Sequence, residues 1–479
     1  MHTMNPTDVF VACSNRLPLT PRGTLPYSVA LVLLAGITGG LGGCASNSRP
    51  PTPDSITGKY IAVMCDADMT WSAFSSGMLG ARASGVEDSL TVVGLPLATA
   101  PDAQSPRWET TVAQVGVSNS AMGPPVSLSV TRDGSRAYVC ETRGPASAGA
   151  QTLADLPIGS ALTAVDLSNP AQPAVLAKVD VGEEPTGCDV SPDGSVVAVV
   201  TRKAGQELVL VPVTPDAALG QPGSWPLIGV GPARPTCVQW RPGSTGRHLA
   251  VTVPDAGLVA FYEYTPDRGD GMPGLIQWGN PVQVGKYPAS GRFTPDGRHF
   301  ITTDLQWGPD VEGFMAGAPE GQLSVIRLAD VDSAIASDQS VDQSRVVHEV
   351  VSRASVGVSP ESMAISPDGR FVVTGNLRGS YLAEGAANAT PGGSLSLLRL
   401  SGDELTPVSE TPINSMPQGV AFDAGGRHLV VSEFRTFDPG ALDGELAFYK
   451  LVTGGTPTLV PAKFYVGVGR GPHGVLIVR

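Results

Sequence analysis

The sequence predicts an all-β protein, a seven-bladed β-propeller of four-stranded antiparallel blades, on three observations. First, one phrase recurs: a proline, an apolar run, a Pro-Asp-Gly type turn and a second apolar run. It stands as PTGCDVSPDGSVVAVVT (185–201), PASGRFTPDGRHFITTD (288–304), PESMAISPDGRFVVTGN (360–376) and PQGVAFDAGGRHLVVSE (417–433). Second, each copy is followed by two further strand-like runs, as in ELVLVPV then PLIGVG, or SLSLLRL then VSETPIN. Third, the chain ends on a lone first strand, GPHGVLIVR (471–479). Past residue 57 it opens on a second strand with no first strand before it, GKYIAVMCD (58–66).

Each part of the phrase has a mechanical role. The proline opens a strand, the first run crosses a core, and the turn reverses the chain. Aspartate favours the start of the turn and glycine supplies positive φ. First strands are expected near Pro125, Pro185, Pro235, Pro288, Pro360 and Pro417, with weaker copies at 125 (VTRDGSRAYV) and 235 (QWRPGSTGRHLAV). Hairpins recurring at this spacing mark a repeat architecture. Six units are complete, and the two terminal fragments make a seventh. Joining the termini in one blade removes free sheet edges. The propeller is therefore expected over 58–479. Composition agrees: Gly 58, Pro 43 and only 16% charged residues fit short apolar strands between many tight turns.

Ahead of the propeller, YSVALVLLAGITGGLGGC (27–44) follows Arg16 and Arg22 and ends in small residues. It is short for a membrane span and fits a secretory leader. Its end, Leu41-Gly42-Gly43-Cys44, resembles a bacterial lipobox. That resemblance implies a signal peptide over 1–43 and a lipid on Cys44, with the membrane as a partner. Ala45 after the cysteine implies the outer membrane of the cell envelope. ASNSRPPTPDSIT (45–57) reads as a flexible tether. Past the anchor, Cys65, Cys140, Cys188 and Cys237 fall in strand runs without a CxxC or CxxCH, so buried free thiols are expected. The net charge of −13 has no basic patch against it, which excludes nucleic acid as a partner.

The SPDGRxVxVxN repeats resemble the YVTN β-propeller repeats of the lactonase-like superfamily, which includes 6-phosphogluconolactonases and carboxy-muconate-cyclising enzymes. The resemblance covers roughly 58–479. It implies the fold, and it implies lactonase activity as one use among enzymes, surface-layer proteins and scaffolds. The Gly-Pro-Arg-His phrase of lactonase members is echoed only by GPHG at 471–474, where the arginine is absent.

In such a propeller the start of each first strand and the end of each second strand share one rim. The second strands end there on Cys65, Glu141, Thr201, Val253, Asp304, Asn376 and Glu433. After the opening prolines stand Val126, Thr186, Thr236, Ala289, Glu361, Gln418 and His473. On these positions blades 3 and 4 offer nothing charged, so the polar sector is expected over blades 5, 6, 7 and 1. Connections after the second strand are long in blades 1, 2, 5, 6 and 7 and short in blades 3 and 4. A cup of long loops over the acidic sector follows, and such loops commonly carry binding.

Candidate ligand-binding residues are Asp304, Glu361, Asn376, Arg378, Arg435, Glu141, Arg143 and Trp307. Glu433 and His473 would suit a general base and acid for opening a lactone, with Arg292 or Arg435 holding a carboxylate. Asp304, Glu361, Asn376 and Glu433 would alternatively suit Ca²⁺ or Mg²⁺; no cofactor is otherwise required. His248, His299 and His428 belong to the opposite rim. A G-x-S-x-G elbow and an S-x-x-K are both missing. The leading expectation is an envelope-anchored module that binds a protein, glycan or small ligand through the long-loop rim. The alternative is a lactonase-like hydrolase.

Overall fold

The computed structural model describes residues 50–80, 86–97, 106–214, 218–243, 247–267, 273–308, 318–329, 346–434 and 443–479. The leader, Cys44 and Arg435 lie outside the described residues. The chain forms seven antiparallel sheets, each with its first strand on the axis. Blade 1 runs outward as Pro472–Val478, Tyr60–Cys65, Ser89–Gly94 and Val112–Gly116, so both ends of the chain meet in it. Blade 2 comprises Leu128–Val130, Arg136–Cys140, Ala161–Asp166 and Ala174–Asp180. Blade 3 comprises Gly187–Val190, Val196–Val200, Leu208–Pro212 and Gly223–Trp225. Blade 4 runs Cys237–Trp240, His248–Val253, Leu258–Thr265 and Gly274–Gln277, with Val282–Gln283 also pairing with its third strand. Blade 5 is Pro288–Phe293, His299–Asp304, Glu320–Arg327 and Glu349–Val358. Blade 6 is Pro360–Ile365, Phe371–Asn376, Ser394–Ser401 and Glu404–Pro412. Blade 7 is Pro417–Phe422, His428–Glu433, Asp443–Val452 and Thr458–Gly469.

The continuous apolar runs are explained by burial on both faces. In YIAVMC, Ile61, Val63 and Cys65 face the seam with blade 7, while Tyr60, Ala62 and Met64 face the seam with blade 2. An apolar cluster of this kind fills every seam between neighbouring blades. Side-chain hydroxyls then pin adjacent blades near the axis. Thr142 donates to Pro185 O at 2.7 Å, Thr186 to Pro235 O at 2.9 Å and Thr236 to Ala289 O at 2.6 Å.

The turn phrase works a little differently from expectation. In blade 6 the turn starts at Ser366, whose carbonyl accepts from Gly369 N at 2.8 Å, and Asp368 sits at its third position. Asp368 Oδ1 accepts from the Ser366 hydroxyl at 2.6 Å and from Arg370 N at 3.1 Å. Gly369 has φ 73°, the left-handed region that glycine adopts without penalty. Asp193 and Asp296 make the same pair of bonds. All four later cysteines are buried and free, as the sequence predicts.

The end of the tether expected over 45–57 touches the propeller at Ile56 and Thr57. Thr57 donates to Asp423 from its backbone N at 3.1 Å and its hydroxyl at 2.6 Å, and Ile56 is buried between blades 7 and 1. Among the described residues one four-residue α-helix, Ala73–Ser76, lies in the blade 1 loop. Among the described residues no helix is long and apolar enough to cross a membrane.

Candidate active site at the channel mouth

The described parts of the blade 1, 2 and 6 loops do not stand apart as the walls of an open cup; they fold onto one another. Met69, Ala73 and Trp71 of blade 1, Leu153 and Leu156 of blade 2, Leu377, Tyr381 and Leu382 of blade 6, and Met416 and Phe434 of blade 7 form one apolar cluster. The cause is the loops' own composition, since side chains such as these bury themselves when neighbours are within reach. The resulting cap covers blades 6, 7, 1 and 2. Blades 3 and 4, whose loops are short, are left outside it.

Charge gathers at that uncapped side. Glu184, immediately before the first strand of blade 3, is buried at 9% exposure and faces three guanidiniums. Arg143 of blade 2 pairs with its Oε1. Arg234 approaches Oε2 at 3.5 Å, and Arg202 approaches the same oxygen at 3.8 Å. Glu184 thus lies among three guanidiniums, and Arg234 N also donates to Asp255 at 3.2 Å. The Nε–H groups of Arg143 and Arg202 are buried without an acceptor among the described residues. Burial holds Arg202 below its ordinary pKa, with Glu184 opposing that shift. The side chain of Arg234 is 40% exposed and opens the group to solvent.

The constellation continues across the axis. Burial raises the Tyr287 phenol above its usual range, an effect opposed by Arg202 and reinforced by Glu361. Tyr287 packs on Trp307 with ring centroids 5.4 Å apart, and Trp307 Nε1 donates to the Ser359 hydroxyl at 3.0 Å. Glu361 is 6% exposed, and its Oε2 accepts from Gln418 Nε2 at 2.9 Å. Burial pushes the Glu361 carboxyl up to about 8, so it is an acid at neutral pH. Gln418 Oε1 is buried with no donor among the described residues.

Glu184 (φ 49°) and Tyr287 (φ 57°) take the left-handed conformation just before the strand's proline. That conformation costs a non-glycine residue about 1–2 kcal/mol. It recurs at Ser359 (φ 56°) and, with glycine, at Gly471 (φ 63°), so it belongs to the blade's construction. A Cβ on Gly471 would stand 2.1 Å from Asp66 O, which accounts for the first glycine of GPHG.

Of the residues predicted from sequence, Glu361, Arg143 and Trp307 join this site. Glu141 pairs outward with Lys178 at 2.9 Å, and Arg378 is exposed. Asp304 and Asn376 spend their polar atoms inside their own blades. Asp304 accepts from Thr302, Ser324 and Gly285 N; Asn376 accepts from Thr374 and donates to Ser394 and Ser396. Arg292 donates to Gln239 at 3.1 Å, toward the far end of the channel.

The structure does not join Glu433 and His473. Glu433 faces the blade 6–7 seam with Tyr449, where burial lifts its pKa to about 7 against the nearby Ser415 hydroxyl and with the help of Glu445. His473 lies under the cap at 1% exposure. Asn119 Nδ2 donates to carbonyls, so its Oδ1 accepts from His473 Nε2 at 2.7 Å, fixing a neutral tautomer that burial holds down to about 3. His299 and His428 sit on the turn-bearing rim, paired with Asp403 and Asp423.

Asp304, Glu361, Asn376 and Glu433 likewise do not form one ligand set. Among the described residues the carboxylates that converge are Asp66, Asp68 and Asp88, with ligand atoms within 4.8 Å of one another. They receive loop amides: Asp66 takes Asp68 N, Met69 N and Ala121 N, Asp88 takes Ala67 N, and Asp68 takes Ala146 N. Burial raises Asp66 to about 6 and Asp88 to about 8.

Glu184, Arg202, Arg234 and Tyr287 were missed because alignment on two positions per blade passes over them. The signal lies in the residue before each opening proline (Glu184, Arg234, Tyr287) and in the residue after the rim threonine of blade 3 (Arg202).

No protein-family model matches the chain, and no curated protein matches it by sequence. Solved structures do match in fold. The periplasmic gluconolactonase of Pseudomonas aeruginosa is 16% identical with a TM-score of 0.54, covering 88% of this chain and 99% of that one. A candidate 6-phosphogluconolactonase of Bacteroides fragilis is 13% identical with a TM-score of 0.54, covering 89% and 99%. A hypothetical selenium-binding protein of Sulfolobus tokodaii is 11% identical with a TM-score of 0.54, covering 90% and 94%. At these identities the likeness is one of architecture.

Proposed function

We propose that the protein is a lactonase-like hydrolase acting at the uncapped side of the channel mouth, held in the bacterial envelope by a lipid on Cys44. The observation that carries this reading is the convergence of Arg143, Arg202 and Arg234 on the single carboxylate of Glu184, with acid-form Glu361 beside Tyr287. The fold shared with a gluconolactonase is consistent with it.

Hydrolysis of a lactone needs three things: stabilisation of the oxyanion as water attacks the carbonyl, an acceptor for the water's proton, and a proton for the departing ring oxygen. Arg202 and Arg234 supply fixed positive charge in a partly dry site, where it counts for more than in water. Glu184 is the carboxylate inside the cradle and takes the proton from water. Glu361 donates to the ring oxygen, the role open to a carboxyl kept protonated at pH 7. The carboxyl formed gives up the second proton of the water to Glu361, restoring its acid form, Glu184 returns its proton to solvent, and the hydroxy-acid product leaves a new carboxylate among the guanidiniums.

Release of acid from a panel of sugar and carboxylated lactones tests this. Arg202→Ala is expected to lower kcat/KM about 100-fold, as for the loss of one oxyanion donor. A second reading, a ligand-binding module without turnover, is favoured by His473 being buried with its Nε2 engaged by Asn119 while Glu433 interacts with Ser415 and Glu445. It would be supported by lactones or sugar acids that bind in calorimetry, lose affinity in Arg202→Ala and are never opened.

A further inference from the structure

The first strands run from the cradle rim to the turn-bearing rim, so the channel has a second mouth where they end. A cavity of about 610 Å³ lies there, within the range of about 300–1,000 Å³ that takes small molecules. Its wall has two halves, set by the fourth residue after each opening proline. Blades 3, 4 and 5 place Asp189, Gln239 and Arg292 there, while blades 6, 7 and 1 place Ala364, Ala421 and Leu476. All but Gln239 line the cavity, and Gln239 Oε1 holds the half-buried Arg292 at 3.1 Å. Phe293 and Phe422 add aromatic surface at the strand ends.

The charge at this mouth is not balanced. Three guanidiniums line the cavity, those of Arg132, Arg292 and Arg479, and among the described residues Asp189 is the acid that lines it with them. Its charge reaches Arg292, but its oxygens are taken up elsewhere. Oδ1 accepts from the Ser129 hydroxyl at 2.9 Å and Oδ2 from Trp240 N at 2.8 Å. Asp423, whose charge Arg479 feels, is taken up by Thr57 and His428. Among the described residues none of the three guanidiniums forms an ion pair.

We propose that this mouth binds a small amphipathic anion, a carboxylate on an apolar body, with its head toward Arg292 and its body against Ala364, Ala421 and Leu476. Each half of the wall selects one part of that ligand. A bare inorganic anion would leave the apolar half wet, and a neutral apolar molecule would leave the guanidiniums unanswered. Arginine offers a planar fork that matches a carboxylate with two parallel hydrogen bonds. The site lies at the opposite end of the strands from the cradle and uses none of its residues.

The test titrates naphthoate, and naphthylmethanol as its neutral counterpart, into the full chain by calorimetry. Saturable binding of naphthoate is expected, with the alcohol about 10-fold weaker for want of a charge-assisted hydrogen bond. Arg292→Gln should bring naphthoate down to the affinity of the alcohol. Ala421→Phe, which fills the apolar half, should weaken both probes. Arg202→Ala, in the cradle, should bind naphthoate as the wild type does. Thermal melts identify a variant that fails to fold, and the other mouth variant then carries the test. Three results overturn the proposal: no saturable heat with the wild type, equal affinity for the two probes, or binding that is lost in Arg202→Ala and kept in Arg292→Gln.

Discussion

Glu184 holds the cradle together, and that makes its neighbours readable one by one. Three guanidiniums around one carboxylate repel each other, and the arrangement persists because the blades fix them from three directions. Removing the carboxylate leaves an uncompensated buried charge, so Glu184→Ala is expected to destabilise by about 3 kcal/mol or more, seen as a lower urea midpoint. Glu361 carries the complementary prediction. Its acid form is required and is lost as pH rises through about 8. The rate should therefore fall on the alkaline side near that pH, and Glu361→Gln should remove the limb while costing about 100-fold in rate. Little of this group was legible in the sequence. Glu361 and Arg143 could be placed by counting from a turn glycine, because blade geometry repeats. Glu184, Arg234 and Tyr287 stand one residue before a proline, a position whose importance comes from contacts across blades and, at Glu184 and Tyr287, from the left-handed backbone there.

At the scale of the element, the hairpin phrase was almost fully legible, because the proline, the turn glycine and two apolar runs each have local causes. The place of aspartate within the turn was less so. Sequence reasoning puts it at the start, whereas Ser366, Ser191 and Thr294 start the turns and the aspartate follows to accept their hydroxyls. Asp296→Ala is expected to cost about 1 kcal/mol, the usual worth of such bonds, without altering the site. The rim residues behave as scaffold too. Asp304→Ala should strand the buried hydroxyls of Thr302 and Ser324 and the half-buried Gly285 N, and cost about 2–3 kcal/mol with kcat unchanged. A calorimetric melt beside an activity assay separates the two effects. Loop length proved a poor guide in blades 1, 2 and 6, because the described parts of those loops carry enough apolar surface to pack together into a cap.

For the whole molecule, closure and burial dominate. Pro472–Val478 is the axial strand of blade 1, so a chain lacking it leaves Tyr60–Cys65 with an open edge and an exposed apolar seam. That closure was legible from two orphan strands at opposite ends of the sequence. The seams also hold carboxyls away from water. Asp88 and Glu361 lie near 8, Glu433 near 7, and Asp66, Asp189 and Asp304 near 6. Each is raised above its unfolded value, so the folded state binds more protons across that interval, and stability falls as pH climbs through these values. His473 near 3 and His348 near 4 act in the opposite sense, losing stability below their unfolded value of 6.5. Between pH 9 and 6.5 the carboxyls act together with the buried thiols of Cys65, Cys188 and Cys237, whose raised pKa works in the same sense, and Tm should rise by roughly 2–4 °C on acidification. The central claim, that chemistry sits in the arginine cradle and not under the cap, is tested most directly by lactone hydrolysis in Arg202→Ala set beside His473→Asn. Acid release abolished by the first and retained by the second is the predicted result. Turnover that survives Arg202→Ala and disappears with His473→Asn, in protein that melts normally, would contradict it.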